Sequence, residues 1–262
     1  MSSFYDIRYV SPLGVEFDLF DPHSEIFIRE DGFNGLVGSF ADVAVSAVGV
    51  PGQQFVGLNI EKMEGSLKCF VVEQSEGRPW GVAFAEFKEA FSPRVPGTLV
   101  VKSPSLGQLE CRVRLAGSVR AVPLDPNWST GLAEFELPLV CDDGFWRTKV
   151  INGHSGSVTV TNAGDVDIWP MVRWRGAGGR VTLPSGAYFE LPEARDYRTL
   201  FLNNAQSCVV VDDEGTVDRE LWRALNGSVL PEGVPVGAIR TYQLPAGAEL
   251  QWRLGFFDPF KR

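Results

Sequence analysis

Arg78-Pro-Trp-Gly-Val-Ala-Phe-Ala-Glu-Phe-Lys-Glu-Ala-Phe-Ser-Pro-Arg-Val-Pro-Gly-Thr-Leu-Val-Val-Lys102 is the stretch on which the reading of the chain turns. Trp80, Phe84, Phe87 and Phe91 recur at i, i+4, i+7 and i+11, which puts four large rings on one stripe of an α-helix. Pro79 suits the first helical turn, where its missing N–H costs nothing, and Pro93 ends the run because the residue before a proline avoids the helical region. The spacing therefore predicts a helix from Pro79 to Phe91. Val95-Pro-Gly then reads as a turn, and Thr98 to Val101 as a short β-branched strand. Each buried ring stabilises by roughly 1.5–3 kcal/mol, so a stripe of four makes this helix a lid on a β-core, with Glu86, Lys88 and Glu89 outward.

The sequence before the helix is built of strands. Phe4 to Phe20 gives two alternating segments about Pro12-Leu-Gly14, a hairpin; Glu25 to Arg29 is another strand, followed by a glycine-rich turn at Asp31-Gly-Phe-Asn-Gly35. Phe40 to Val50 is β-branched and small, and Pro51-Gly52 turns it into Gln54 to Glu61, with Leu67 to Glu73 beyond. After the helix, Leu109 to Leu115 alternates, with Arg112 and Arg114 outward, and Ala133 to Val140 carries Pro138, a mark of an edge or a bulge. Cys141-Asp-Asp-Gly-Phe-Trp-Arg147 closes the first half, giving domains at 1–147 and 148–262. Phe145 and Trp146 read as the last core residues of the first domain or, as an alternative, as a plug seating one domain on the other.

Beyond Gly153 the texture changes to short strands separated by Gly and Pro: 157–162, 167–174, 180–183, 188–191, 197–202, 208–211, 238–244 and 249–254, the pattern of a β-sandwich or jelly roll. Asp218 to Gly227 is a short helix between its N-cap Asp218 and its stop Gly227. The fold class is thus mainly β with one principal helix (α+β).

Composition bounds what such a protein does. The chain has 262 residues, 44% of them hydrophobic, and no apolar run long enough to span a bilayer; Met1 to Arg8 lacks the features of a signal peptide, so the expectation is a soluble protein assembled in cytoplasm, with no membrane partner. Its net charge of −9 is uneven: residues 1–147 hold 12 Lys+Arg against 20 Asp+Glu, a net of −8, and 148–262 hold 12 against 13. A surface of that sign does not grip nucleic acid. Cys69, Cys111, Cys141 and Cys208 sit singly in apolar runs and read as buried free thiols. His23 and His154 stand in no metal-binding or triad motif, and Asp212-Asp-Glu-Gly215 is first of all a hairpin turn, so no catalytic, cofactor-binding or metal residue is nominated and the chain is not read as an enzyme. Trp169, Trp174, Tyr188, Tyr197, Trp222, Tyr242 and Trp252 are mostly core by their apolar context, although exposed aromatics on a jelly roll stack on sugars.

Taken in order, the turn at Pro51-Gly52-Gln53, Arg78-Pro-Trp80, Ala90-Phe-Ser-Pro93, Pro96-Gly-Thr-Leu-Val-Val101 and Lys102-Ser-Pro104, Cys141 to Arg147, Gly164-Asp-Val-Asp-Ile-Trp-Pro170, Val210 to Val217, Leu230-Pro-Glu-Gly233 and Trp252 resemble the distal tail proteins (Dit family) of siphovirus-type bacteriophages. The resemblance spans nearly the whole chain. It implies a structural virion protein of the phage tail tip, a baseplate hub component: a homo-hexamer whose N-terminal ring domain (1–147) carries the helix, with a galectin-like C-terminal β-sandwich outside and residues 254–262 as candidates for packing back on the first domain. The ring would join the tail tube protein to tail-tip, tail-associated or receptor-binding proteins and leave a channel through which DNA only passes. The acidic residues of 1–147 would then line the ring, repelling phosphate. Trp80, Phe84, Phe87 and Phe91 would set the subunit's shape, and Phe145, Trp146 and Arg147 the domain junction. An adhesin that attaches to host-surface carbohydrate through the C-terminal sandwich is the alternative.

Overall fold

The computed structural model describes residues 5–21, 23–49, 51–72, 80–119 and 132–261. The chain divides into two compact units, Met1–Arg147 with Phe256–Arg262, and Thr148–Gly255. It is mainly β, with two α-helices among the described residues.

The first unit runs β1 (Asp6–Val10), β2 (Glu16–Asp18), β3 (Ile26–Gly35), β4 (Ser39–Val45), β5 (Gln54–Glu61), β6 (Met63–Val72), α1 (Trp80–Glu89), β7 (Gly97–Ser103), β8 (Gly107–Leu115), β9 (Leu132–Cys141) and β10 (Trp146–Thr148). Its main sheet has the order β2-β1-β7-β8-β9-β6-β3, antiparallel throughout. Past β2 the chain meets β3 again, the Ile28 N–H donating to the Leu19 carbonyl at 2.8 Å, so the two ends of the sheet curl towards each other. Such curling hides edge strands that would otherwise invite pairing with other chains. The inner face is apolar by simple alternation: Leu109, Cys111 and Val113 of β8 are buried while Arg112 is exposed. Arg114 is instead half-buried, its guanidinium forking onto Asp142 at 2.6 and 2.8 Å.

Helix α1 lies over this face. Its most buried side chains are Ala83 and Phe87, with Trp80 and Phe84 half-buried and Phe91 buried just beyond its end. Pro79 and Arg78 lie outside the described residues. The rings make a chain of edge contacts that ties the helix to three strands: Phe87 to Phe17 of β2 at 5.0 Å, Phe84 and Phe87 to Phe135 of β9 at 4.9 and 5.9 Å, and Phe91 stacked on Tyr9 of β1 at 3.8 Å. Tyr9 also closes the helix end, its hydroxyl donating to the Ala90 carbonyl at 2.9 Å, and burial pushes its phenol pKa up.

The segment Asp31–Gly35, which reads as a turn, is the second half of β3, pairing Phe33 with Leu67 and Gly35 with Gly65 after an irregularity that follows Ile28. Its glycines serve close backbone approach: a Cβ at Gly32 would strike the Lys68 carbonyl, and one at Gly35 the Glu64 carbonyl. Pro138 stands just beyond the last β8–β9 pair, Leu115 with Leu139, where no ladder N–H is required of it.

The second unit contains β11 (Ile151–Thr161), β12 (Met171–Gly176), β13 (Gly179–Thr182), β14 (Tyr188–Leu191), β15 (Ala194–Phe201), β16 (Val210–Val211), α2 (Arg219–Leu225) and β17 (Ile239–Trp252); β18 (Gly255–Phe256) follows and belongs to the same sheet as β10. The two segments 238–244 and 249–254 are one strand. β17 runs through Pro245-Ala-Gly247 because β11 has a register shift opposite, between His154 and Gly156, and a bulge tolerates proline. Its halves serve different neighbours, Gln243 pairing with β13 and Ala248–Gln251 with β12, which lets the strands wrap one core. Trp174 and Tyr242 fill that core, and their polar tips are satisfied by the carbonyls of Pro192 and Glu232, each at 2.9 Å.

Helix α2 starts on Asp218, whose carboxylate accepts from the Leu221 N–H at 3.1 Å and from Arg198 Nε at 2.8 Å. The Arg198 bond first, and then the Leu221 N–H, hold this carboxyl below its usual pKa. A depressed carboxylate pKa contributes stability above the unfolded value of about 3.9, and that contribution is lost as pH falls through the folded value. Asp218→Ala is therefore expected to cost about 1 kcal/mol at neutral pH, with the deficit narrowing in acid, whereas Asp218→Asn keeps the cap and loses only the ion pair. Urea melts of the three proteins at neutral and acid pH check this; a deficit for the alanine variant that is independent of pH would contradict it.

Candidate assembly interface

The most unusual surface of the first unit is the hairpin β4–β5, a two-stranded ladder that pairs with no other strand among the described residues. Its register places Phe40 opposite Ile60, Asp42 opposite Leu58 and Ala44 opposite Phe55, so one face carries Phe40, Ala44, Phe55, Leu58 and Ile60 around the single carboxylate of Asp42. These rings and aliphatic chains face water: Phe40 is 50% exposed, Phe55 61% and Leu58 40%. Val43 and Val45 are exposed on the other face. A lone two-stranded hairpin is marginal in water, and several large apolar side chains exposed on one face in this way mark an interaction site.

The root of the hairpin is fixed by the end of the chain. Phe40 packs on Phe257 at 5.2 Å, the Gly38 N–H donates to the Phe257 carbonyl at 2.8 Å, and a Cβ at Gly38 would strike the Phe257 ring. Phe260 meets Phe33 and Tyr5 edge-on at 5.1 and 5.2 Å. Beside it lies a groove of ≈ 510 Å³ lined by Ile7, Phe20, Phe27, Phe33 and Phe260, with Arg29 and Glu30 among its polar groups. Arg29 is itself paired with Asp31 at 2.6 Å and Glu134 at 2.8 Å.

The other residues singled out from the sequence fall as follows. Trp80, Phe84, Phe87 and Phe91 form the ring chain under α1, and Glu86, Lys88 and Glu89 are exposed. Trp146 is fully buried within the first unit, its indole N–H donating to the Leu36 carbonyl at 2.8 Å and its ring 6.3 Å from Phe33. Phe145 is half-buried under the Arg147 guanidinium, 4.8 Å from its centroid, and Arg147 pairs with Asp143 at 3.2 Å. In the second unit Trp174, Tyr242 and Trp252 are buried, Tyr197 and Trp222 half-buried, and only Trp169 and Tyr188 of the seven aromatics are exposed. Tyr188 is already covered by Arg180, 4.2 Å from its ring. Asp212 builds a hairpin turn, its carboxylate accepting from the N–H groups of Glu214 and Thr216 at 3.0 and 2.7 Å. Among the described residues no three His, Cys, Asp or Glu side chains gather to hold a metal ion, and no helix is long and apolar enough to cross a membrane.

Sequence reasoning found the two strands of the hairpin but not its exposure. The signal was present in the density of Phe, Val, Leu and Ile on both strands, which also describes a buried hairpin.

No protein-family model and no curated protein sequence matches the chain. Solved structures do. The fold is similar to that of the Dit protein of phage SPP1, described as a paradigm of the hub adsorption apparatus in phages infecting Gram-positive bacteria, with a TM-score of 0.61 at 13% identity, covering 96% of this chain and 99% of that one. It is also similar to a chain of the phage P2 baseplate in its activated conformation with Ca, with a TM-score of 0.54 at 10% identity, covering 95% of this chain and 97% of that one. Both units therefore take part in a Dit-like fold.

Proposed function

We propose that this chain, whose fold is that of phage tail hub proteins, is a structural virion component of a phage tail tip that assembles with copies of itself into a hexameric ring. The ring joins the tail tube to tail-tip or receptor-binding proteins, is put together in the host cytoplasm, and leaves a channel through which DNA passes. The observation that carries this reading is the β4–β5 hairpin: an arm with Phe40, Phe55, Leu58 and Ile60 exposed around Asp42 on one face, which pairs with no other strand among the described residues. An arm on one surface of a subunit that is received by a different surface of the next is a heterologous contact, the kind that closes into a ring. The apolar groove beside Phe260 offers such a receiving surface. The net charge of −8 over residues 1–147 supports a lumen that repels phosphate and lets DNA slide.

The test is assembly. The purified chain is expected to form rings in negative-stain images, alone or on partner tail proteins. Phe55→Asp together with Leu58→Asp is expected to leave a folded monomer with unchanged far-UV circular dichroism and to abolish rings, because two carboxylates cannot be buried unpaired. Rings that survive this double change would overturn the assignment of the hairpin. A host-carbohydrate adhesin finds less support, since only Trp169 and Tyr188 of the seven Trp and Tyr side chains of the second unit are exposed.

A further inference from the structure

The dipeptide Asn-Gly occurs three times in the chain, at Asn34-Gly35, Asn152-Gly153 and Asn226-Gly227. Asparagine before glycine is a place where a chain can react with itself. The side-chain amide carbon is within reach of the next backbone nitrogen, and glycine has no side chain to shield that nitrogen or to stop the peptide from turning. The attack requires the asparagine ψ to leave its extended value, so the surroundings of each pair decide which of them reacts.

Two of the three are held in ladders. Asn34 and Gly35 pair with Ser66 and Gly65 of β6, and a Cβ at Gly35 would strike the Glu64 carbonyl. The Asn34 side chain is itself engaged, its amide donating to the Asp31 carbonyl at 3.4 Å. Asn152 and Gly153 pair with Gln251 and Leu250 of β17, and a Cβ at Gly153 would strike the Val158 side chain. Asn226-Gly227 is placed differently. Asn226 is the exposed C-cap of α2, with φ −61° and ψ 127°, and Gly227 follows in an exposed turn at φ 84°, with open space where a Cβ would stand. The chain is fastened on either side of this pair: the Asn226 N–H donates to the Trp222 carbonyl at 2.9 Å, and the Ser228 N–H and hydroxyl donate to the Leu225 carbonyl at 3.0 and 2.8 Å. Among the described residues, neither the Asn226 carbonyl nor the Gly227 N–H takes part in a backbone hydrogen bond.

We propose that Asn226 is a site of spontaneous modification in the folded protein, converted through a succinimide to aspartate and isoaspartate, and that Asn34 and Asn152 are protected by their strands. Hydroxide takes the Gly227 N–H proton, and the nitrogen attacks Asn226 Cγ. The new N–C bond closes a five-membered ring, the bond from Cγ to the side-chain nitrogen breaks, and ammonia leaves with a proton from water. Water then opens the ring. Cleavage at Cγ restores the ordinary backbone with an aspartate, and cleavage at the backbone carbonyl carbon routes the chain through the side chain as isoaspartate. Overall one amide and one water become one carboxylate and one ammonium, with no change of oxidation state. Either product adds a negative charge at the C-terminal end of α2, where the last carbonyls already disfavour it. Isoaspartate also inserts a methylene into the backbone between Leu225 and Val229, both of them buried.

The experiment incubates the full chain in warm, mildly alkaline buffer, folded and in parallel unfolded in urea, then digests it in mild acid and maps the peptides by mass spectrometry. Isoaspartate methyltransferase labels the isoaspartate. In the folded chain the Asn226 peptide is expected to deamidate about tenfold or more faster than the peptides of Asn34 and Asn152, because those two must wait for a ladder to open. In urea the three rates are expected to converge. Asn226→Gln, which would have to close a larger ring, is expected to remove the fast phase and its acidic product from ion-exchange profiles. Equal rates at the three sites in the folded chain, a faster reaction at Asn34 or Asn152, or an Asn226 that reacts only in urea would each overturn the proposal. The comparison within the wild-type chain decides the matter without any variant.

Discussion

Phe87→Ala is expected to destabilise the first unit by about 3–5 kcal/mol, the upper range for deleting a core ring. Phe87 is fully buried, and its ring is surrounded by other rings from separate elements: Phe17 of β2, Phe91 beyond the helix and Phe135 of β9 at 5.0, 5.0 and 5.9 Å. Phe17 and Phe135 are held by their strands and Phe91 by its stack on Tyr9, so the void left behind cannot readily collapse. Domains of this kind carry about 5–15 kcal/mol in total, so the loss takes a large share of the margin and assembly is expected to fail with folding. Phe84→Ala is the internal comparison, because Phe84 lies on the same helix but is half-buried and is expected to cost less. Urea unfolding of the three proteins measures the difference. Equal costs for the two variants would mean that the helix is a surface feature and not a lid.

Trp146→Ala is expected to be of the same size, about 3–5 kcal/mol, for two separable reasons. The indole is 0% exposed, and its N–H satisfies the carbonyl of Leu36, a buried leucine held at φ 52°. Leaving that carbonyl without a partner costs about 1–3 kcal/mol by itself. Trp146→Phe retains most of the ring and loses the donor, so it is expected to show roughly the second part alone. Thermal or urea melts of both variants separate packing from hydrogen bonding. If the phenylalanine variant were as stable as the parent, the Leu36 bond would contribute nothing and the burial of the ring would account for the whole effect.

Much of the local structure was legible because its causes are local. The helix under Trp80, Phe84 and Phe87 follows from period and proline punctuation, and Asp218 as an N-cap follows from a carboxylate placed before an apolar run. The strand Tyr188–Leu191 lies where alternation puts it. The reading failed where tertiary context reversed a local signal. Asp31–Gly35 has turn composition, yet its glycines are there because strand backbones approach too closely for a Cβ. Pro245 and Gly247 look like a break between two strands, yet β11 is bulged opposite and β17 passes through.

The candidate interface was less legible than the fold. Apolar residues in a strand have the same letters whether they face a core or a partner, so only their exposure among the described residues distinguishes Phe55 and Leu58 from core residues. The sequence by itself determined the mainly β class, the one aromatic lid helix, the uneven acidity and the motifs in order that resemble tail hub proteins, since each depends on composition, periodicity or short spacing. Only the tertiary structure decided which apolar residues remain uncovered and that residues 256–262 belong with the first unit, because burial and contact are properties of the packed chain and have no signature in any single segment.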